Sequence, residues 1–64
     1  MNRDEATITL FDLKDRLKWR DWNYEEFEDG RIRFKVIRLT RNSEIYFNNF
    51  DEFTDFLAIL SVSH

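Results

Sequence analysis

The chain reads as a small α+β domain, a helix, a three-stranded antiparallel meander and a second helix. Three observations predict this. Asp29-Gly30 sits between two stretches that alternate apolar and polar residues, the strongest short hairpin signal. Leu10, Leu13 and Leu17 recur at helical spacing before that hairpin. Phe50, Phe53, Leu57 and Leu60 do so after it, broadened by Phe56 and Ile59. Sixty-four residues leave room for one core, so residues 1–64 are expected to form a single domain.

The elements follow in order. Residues 1–6 are polar and are expected to be a mobile lead-in. Thr9 and Asp12 resemble a capping pair, which sets helix 1 at about residues 10–19. A two-residue turn at Asp29-Gly30 then fixes a register. It places Trp22 opposite Ile37, Tyr24 opposite Lys35, Glu26 opposite Arg33 and Glu28 opposite Arg31. Two of these pairs join opposite charges, which supports the register independently of the turn. The same register sets Glu25 opposite Phe34, a mismatch on the apolar face. A second turn is expected at Arg41-Asn42, pairing Ile37 with Tyr46, Val36 with Phe47 and Arg38 with Ile45. Asn48 or Asn49 caps helix 2, expected at about residues 50–60, with Asp51 and Glu52 in its first turn. Residues 61–64 are expected to be a mobile tail. The predicted inner sheet face is Phe27, Ile32, Phe34, Val36, Ile45 and Phe47, covered by helix 2 with helix 1 beside it.

This element order is shared with double-stranded-RNA-binding domains. Those domains grip phosphates with a Lys-rich start to the second helix. Here that helix starts Phe50-Asp51-Glu52 and holds no Lys or Arg, so the resemblance extends to element order alone.

Composition narrows the chemistry. Hydrophobic residues make up 42% and charged residues 36%, a globular balance. Seven Phe, two Tyr and two Trp give a short chain the large side chains that a small core needs. With no Cys, disulfide scaffolds, thiol nucleophiles and Cys-based zinc sites are excluded. One Gly excludes a Gly-rich phosphate loop. The only His is His64, with no neighbouring sequence to hold it, and Ser43, Ser61 and Ser63 have no readable base. Glu25 and Glu26 alternate across a strand and so cannot chelate one cation together. The expectation is therefore a protein that is not an enzyme, with no cofactor and no metal. The longest apolar run, Phe56 to Leu60, is too short to span a membrane, and a cytoplasmic location is expected.

The net charge of −3 is unevenly spread. Residues 31–41 carry five bases and no acid, while residues 1–30 carry nine acids to five bases and residues 42–64 four acids and no base. The basic strand suggests a nucleic-acid footprint, yet Glu26 and Glu28 are expected to neutralise Arg33 and Arg31, leaving Lys35, Arg38 and Arg41. The predicted outer sheet face carries Trp22, Ile37 and Tyr46 in one row, with Tyr24 and Leu39 diagonally next to it and Lys35 at its edge; Arg38 is expected to contribute to partner binding through its charge. Aromatic residues of this kind are enriched in binding hot spots. The favoured expectation is docking of this patch on another protein, as an inhibitor or regulator. Chains this short often serve phages and mobile elements by blocking host enzymes, including those that handle nucleic acids. The alternatives are a nucleic-acid-binding domain using residues 31–41 and a structural homodimer with the patch as its seam.

Overall fold

In the computed structural model, residues 1–63 are described. The order is α1 (Arg3–Leu17), β1 (Asp21–Glu26), β2 (Ile32–Ile37), β3 (Asn42–Phe47) and α2 (Phe50–Ser63). The strands form one antiparallel sheet in the order β1-β2-β3. Both helices pack on the same sheet face, and the core is Ala6, Leu10 and Leu13 of α1, Trp19, Ile32, Phe34 and Val36, and Phe53 and Leu57 of α2. The predicted α+β architecture is the one observed.

Helix α1 starts earlier than expected. Asn2 is its N-cap: the Glu5 backbone N–H donates to Asn2 Oδ1 at 2.8 Å, and the Glu5 carboxylate accepts from the Asn2 N–H at 3.4 Å. This reciprocal capping box satisfies two otherwise orphan donors. Residues 3–6 are thus the first turn of a helix, not a lead-in. Thr9 is not a cap. It lies inside the helix and its hydroxyl donates to the Glu5 carbonyl. Ala6 extends the buried stripe of Leu10 and Leu13 back by one turn. The helix ends at Leu17 rather than residue 19, because Lys18 adopts a left-handed conformation (φ 61°) and turns Trp19 back into the core.

The first hairpin differs from expectation by one residue, and the difference matters. Phe27 N–H donates to Arg31 O at 2.8 Å, and Gly30 N–H donates to Phe27 O at 3.0 Å. The connection is therefore the three-residue loop Glu28-Asp29-Gly30, a turn closed by a glycine at φ 92°. A two-residue turn of the expected kind would need positive φ at Asp29 as well, and Asp29 does not have it. Its carboxylate instead accepts from the Arg31 N–H. The pairs become Trp22 with Val36, Tyr24 with Phe34 and Glu25 with Arg33. A one-residue slip moves every β1 side chain to the opposite face. Trp22 and Tyr24 therefore point inward and Glu25 outward, which removes the Glu25–Phe34 mismatch. Magnitudes explain the choice. Burying a large apolar side chain contributes about 1.5–3 kcal/mol, against about 0.2–1 kcal/mol for a cross-strand charge pair. Even half-burial of two aromatics outweighs both expected ion pairs, and one ion pair is kept in a new form, Arg33 to Glu25 at 2.8 Å.

A double-mutant cycle checks this directly. Glu25 and Arg33 should show a coupling of about 0.2–1 kcal/mol, while Glu26 and Arg33 should be additive.

The second hairpin turns at Leu39-Thr40, with Arg38 N–H donating to Arg41 O, not at Arg41-Asn42. Ile32 pairs with Phe47, Phe34 with Ile45, and Val36 with Ser43. The earlier turn lets β3 pair along the whole of β2. The shift is an even number of positions, so Ile45 and Phe47 keep the inward face expected of them. Phe27, expected on that face, instead lies outside the ladder where the loop begins and is 39% exposed.

Helix α2 begins as expected, with Glu52 N–H donating to Asn49 Oδ1 at 2.9 Å, and runs on to Ser63. Residues 61–63, expected to be a tail, are helical; His64 lies outside the described residues. Two arginines of α1 set the helices parallel. Arg3 lies over the Phe50 ring at 4.6 Å at one end, and Arg16 donates to the Ser61 carbonyl at 3.1 Å at the other.

Candidate docking surface

Four aromatic rings lead from the core to the surface. Phe53 of α2 packs on Tyr24 with centroids 5.0 Å apart. Tyr24 stacks on Trp22 at 6.3 Å, and Trp22 meets Phe11 of α1 edge-on at 5.4 Å. The two strand residues share a face because they are two apart on β1, and α1 lies over that edge strand. Phe11 is 57% exposed, and Ile8, one turn earlier on α1, is 69% exposed. The surface is thus an apolar pair on a helix, backed by a half-buried Trp whose own position is fixed by the core. Ion pairs frame it. Asp12 holds Arg16 at 3.0 Å, and Arg3 donates to Glu26 Oε1 through Nε at 3.1 Å and Nη2 at 2.8 Å. That hydrogen bond, then the Glu26 charge, raise the Arg3 pKa above its ordinary value, so Arg3 stays protonated where it holds α1 to the end of β1.

The expected patch does not assemble. Trp22 and Tyr24 are on the inner side, whereas Lys35, Ile37 and Tyr46 are on the outer sheet face. Tyr46 is 65% exposed but lies opposite Arg33, and Ile37 lies opposite Asn42 at the far end of β2. Between them are Glu25, Arg33, Lys35 and Glu44, with Arg33 bonded to Glu25 and Lys35 opposite Glu44. That face is a charged checkerboard of the sort antiparallel sheets show to water. Arg38 is on the inner side, its guanidinium donating to Ser43 Oγ. The expected basic cluster is therefore divided, with Lys35 on one face and Arg38 on the other. Arg31 pairs with Asp29, not with Glu28.

Ile8 was missed because helix 1 was expected to start at residue 10, and Phe11, inside the expected helix but off its Leu10–Leu13–Leu17 stripe, then had no apolar neighbour one turn earlier. The signal for them was Asn2-Arg3-Asp4-Glu5, a capping box that starts the helix early enough to expose both on one side.

Among the described residues, no group of three His, Cys, Asp or Glu side chains could hold a metal ion, and no helix is long and apolar enough to cross a membrane. Comparison with protein-family models, with curated proteins and with solved structures finds no match.

Proposed function

We propose that the chain is a small non-catalytic binding module that docks on another protein and acts as an inhibitor or regulator. The observation that carries this reading is the exposed apolar pair Ile8–Phe11, whose Phe11 ring packs edge-on against Trp22. A solvent-facing helix surface is normally polar, and aromatic anchors on rigid supports are what binding hot spots use. Here the support is the Phe53–Tyr24–Trp22 stack, so Phe11 loses little freedom on docking. Of the residues expected from the sequence, Trp22 stays in the docking surface, with Tyr24 as its inner support.

The test is capture of the partner from the native host, compared between wild type and Phe11→Ala. Loss of a central aromatic anchor typically removes about 2 kcal/mol or more, so affinity should fall about thirtyfold. The variant should still melt cooperatively, a few degrees below wild type, since Phe11 is a surface residue whose ring contact is Trp22. Undiminished capture by the Phe11→Ala, Ile8→Ala double variant would remove this surface from the account. Sedimentation of the free protein separates docking on another protein from a homodimer seam.

A second reading, nucleic-acid binding, is favoured by the meeting of Lys18, Arg20, Arg38 and Arg41 at one end of the molecule, where the α1–β1 and β2–β3 connections adjoin. A gel shift that vanishes between low and moderate salt and depends on Arg38 and Arg41, with no effect of Phe11→Ala, would support it instead.

A further inference from the structure

The end of the molecule where both helices finish holds an open part of the core. A cavity of about 270 Å³ lies there, walled by Leu17, Trp19, Val36, Ile45, Phe56 and Leu60 above Phe34. One charged residue, Arg38, stands in its wall. Its guanidinium has five N–H donors and gives one hydrogen bond, to Ser43 Oγ. Among the described residues no carboxylate is ion-paired with it. An apolar pocket with a single convergent polar group is the usual form of a small-molecule site.

The field at this end favours an anion. Folding converts the uneven charge of the sequence into a polar axis. The end with the cavity carries Lys14, Arg16, Lys18, Arg20, Arg38 and Arg41 against Asp12, Asp15 and Asp21. The opposite end, formed by residues 3–5, 25–31 and 51–52, carries eight acids against two bases. The helix C-termini add roughly half a negative charge each near the cavity, which the surplus of bases exceeds.

We infer that this cavity binds a small apolar monocarboxylate. Its hydrocarbon part fills the space between Trp19, Ile45 and Leu60, and its carboxylate takes the two-pronged hydrogen-bonding edge of Arg38. A cavity of about 150 Å³ accommodates a benzene ring, so this one has room for a ring with a short alkyl arm. Nucleotides and sugars are excluded by the apolar walls, which would leave their polar groups unpaired.

The experiment titrates phenylbutyrate into the full chain and follows amide and indole NMR resonances. Saturable shifts should centre on the Trp19 indole, Ile45 and Leu60. Phenylbutanol, which keeps the ring and lacks the charge, should bind about tenfold more weakly or worse, and Arg38→Gln should weaken phenylbutyrate by a similar factor. Leu60→Trp, which fills the cavity, should abolish the shifts; if that variant does not fold, Arg38→Gln and the alcohol still decide. Shifts centred on Ile8 and Phe11, equal binding of acid and alcohol, indifference to Arg38→Gln, or no saturable shift would each overturn the assignment.

Discussion

Phe53→Ala should leave the chain largely unfolded at room temperature. Phe53 is fully buried and touches four other aromatic rings, Tyr24, Phe34, Phe47 and Phe50, with centroids 5.0–6.1 Å away. It is the residue through which α2 holds all three strands at once. Removing a buried Phe side chain typically costs about 3–5 kcal/mol. A domain of this size rarely holds more than about 3–5 kcal/mol in total, so the loss consumes the stability. Circular dichroism during heating gives the answer. A cooperative melt within a few degrees of wild type would show that α2 is peripheral to the fold.

Trp19→Ala should have an effect of the same order, about 3 kcal/mol or more in urea unfolding. Trp19 belongs to neither a helix nor a strand, yet it is only 6% exposed and packs on Phe34 at 6.0 Å. The left-handed Lys18 directs it there, and the Arg20 N–H then donates to Ile37 O at 2.8 Å, joining the chain to the sheet. The α1–β1 connection is thus pinned by a core residue on one side and a sheet hydrogen bond on the other. Phe11→Ala is the contrast. It removes an aromatic ring from a surface position where Trp22 is its one ring neighbour, and should cost about 0.5–1.5 kcal/mol, the usual worth of an aromatic pair. Equal effects of the two substitutions would mean that the α1–β1 region is packed differently.

These contrasts show which parts of the fold were readable from the sequence. The inward faces of β2 and β3 and the stripe of α2 follow from period-2 and period-3.6 patterns that offer no competing reading. That an asparagine caps α2 follows from the acids placed after it, while the choice of Asn49 over Asn48 comes from the Glu52 N–H that donates to Asn49 Oδ1. The faces of β1 were not readable from the turn alone, because Asp-Gly suits both a two-residue and a three-residue loop. The charge pairs did not discriminate, since Glu25 and Glu26 are adjacent and either can face Arg33. The signal that did discriminate was the Glu25–Phe34 mismatch, which the longer loop removes while moving Trp22 and Tyr24 inward. The docking surface depended on that register and on the start of α1. Both expectations were off, so Trp22 was placed among sheet residues when its neighbour is Phe11. The cavity at the Arg38 end was not legible at all. It arises where two helices end over the sheet, a relation between elements far apart in the chain.

The β1 register decides which residues the core keeps and which the surface can offer, and one measurement reads it. Phe27 and Arg31 form a hydrogen-bonded pair, so alternation along the ladder makes Tyr24 and Phe34 a non-hydrogen-bonded pair, with Cα atoms about 4.5 Å apart. A strong nuclear Overhauser contact between the Tyr24 and Phe34 Hα protons is the expected result. A strong contact from the Glu25 Hα to the Phe34 Hα instead, the non-hydrogen-bonded pair that a two-residue turn at Asp29-Gly30 creates, would return Trp22 and Tyr24 to the outer sheet face and contradict the docking surface built on Phe11.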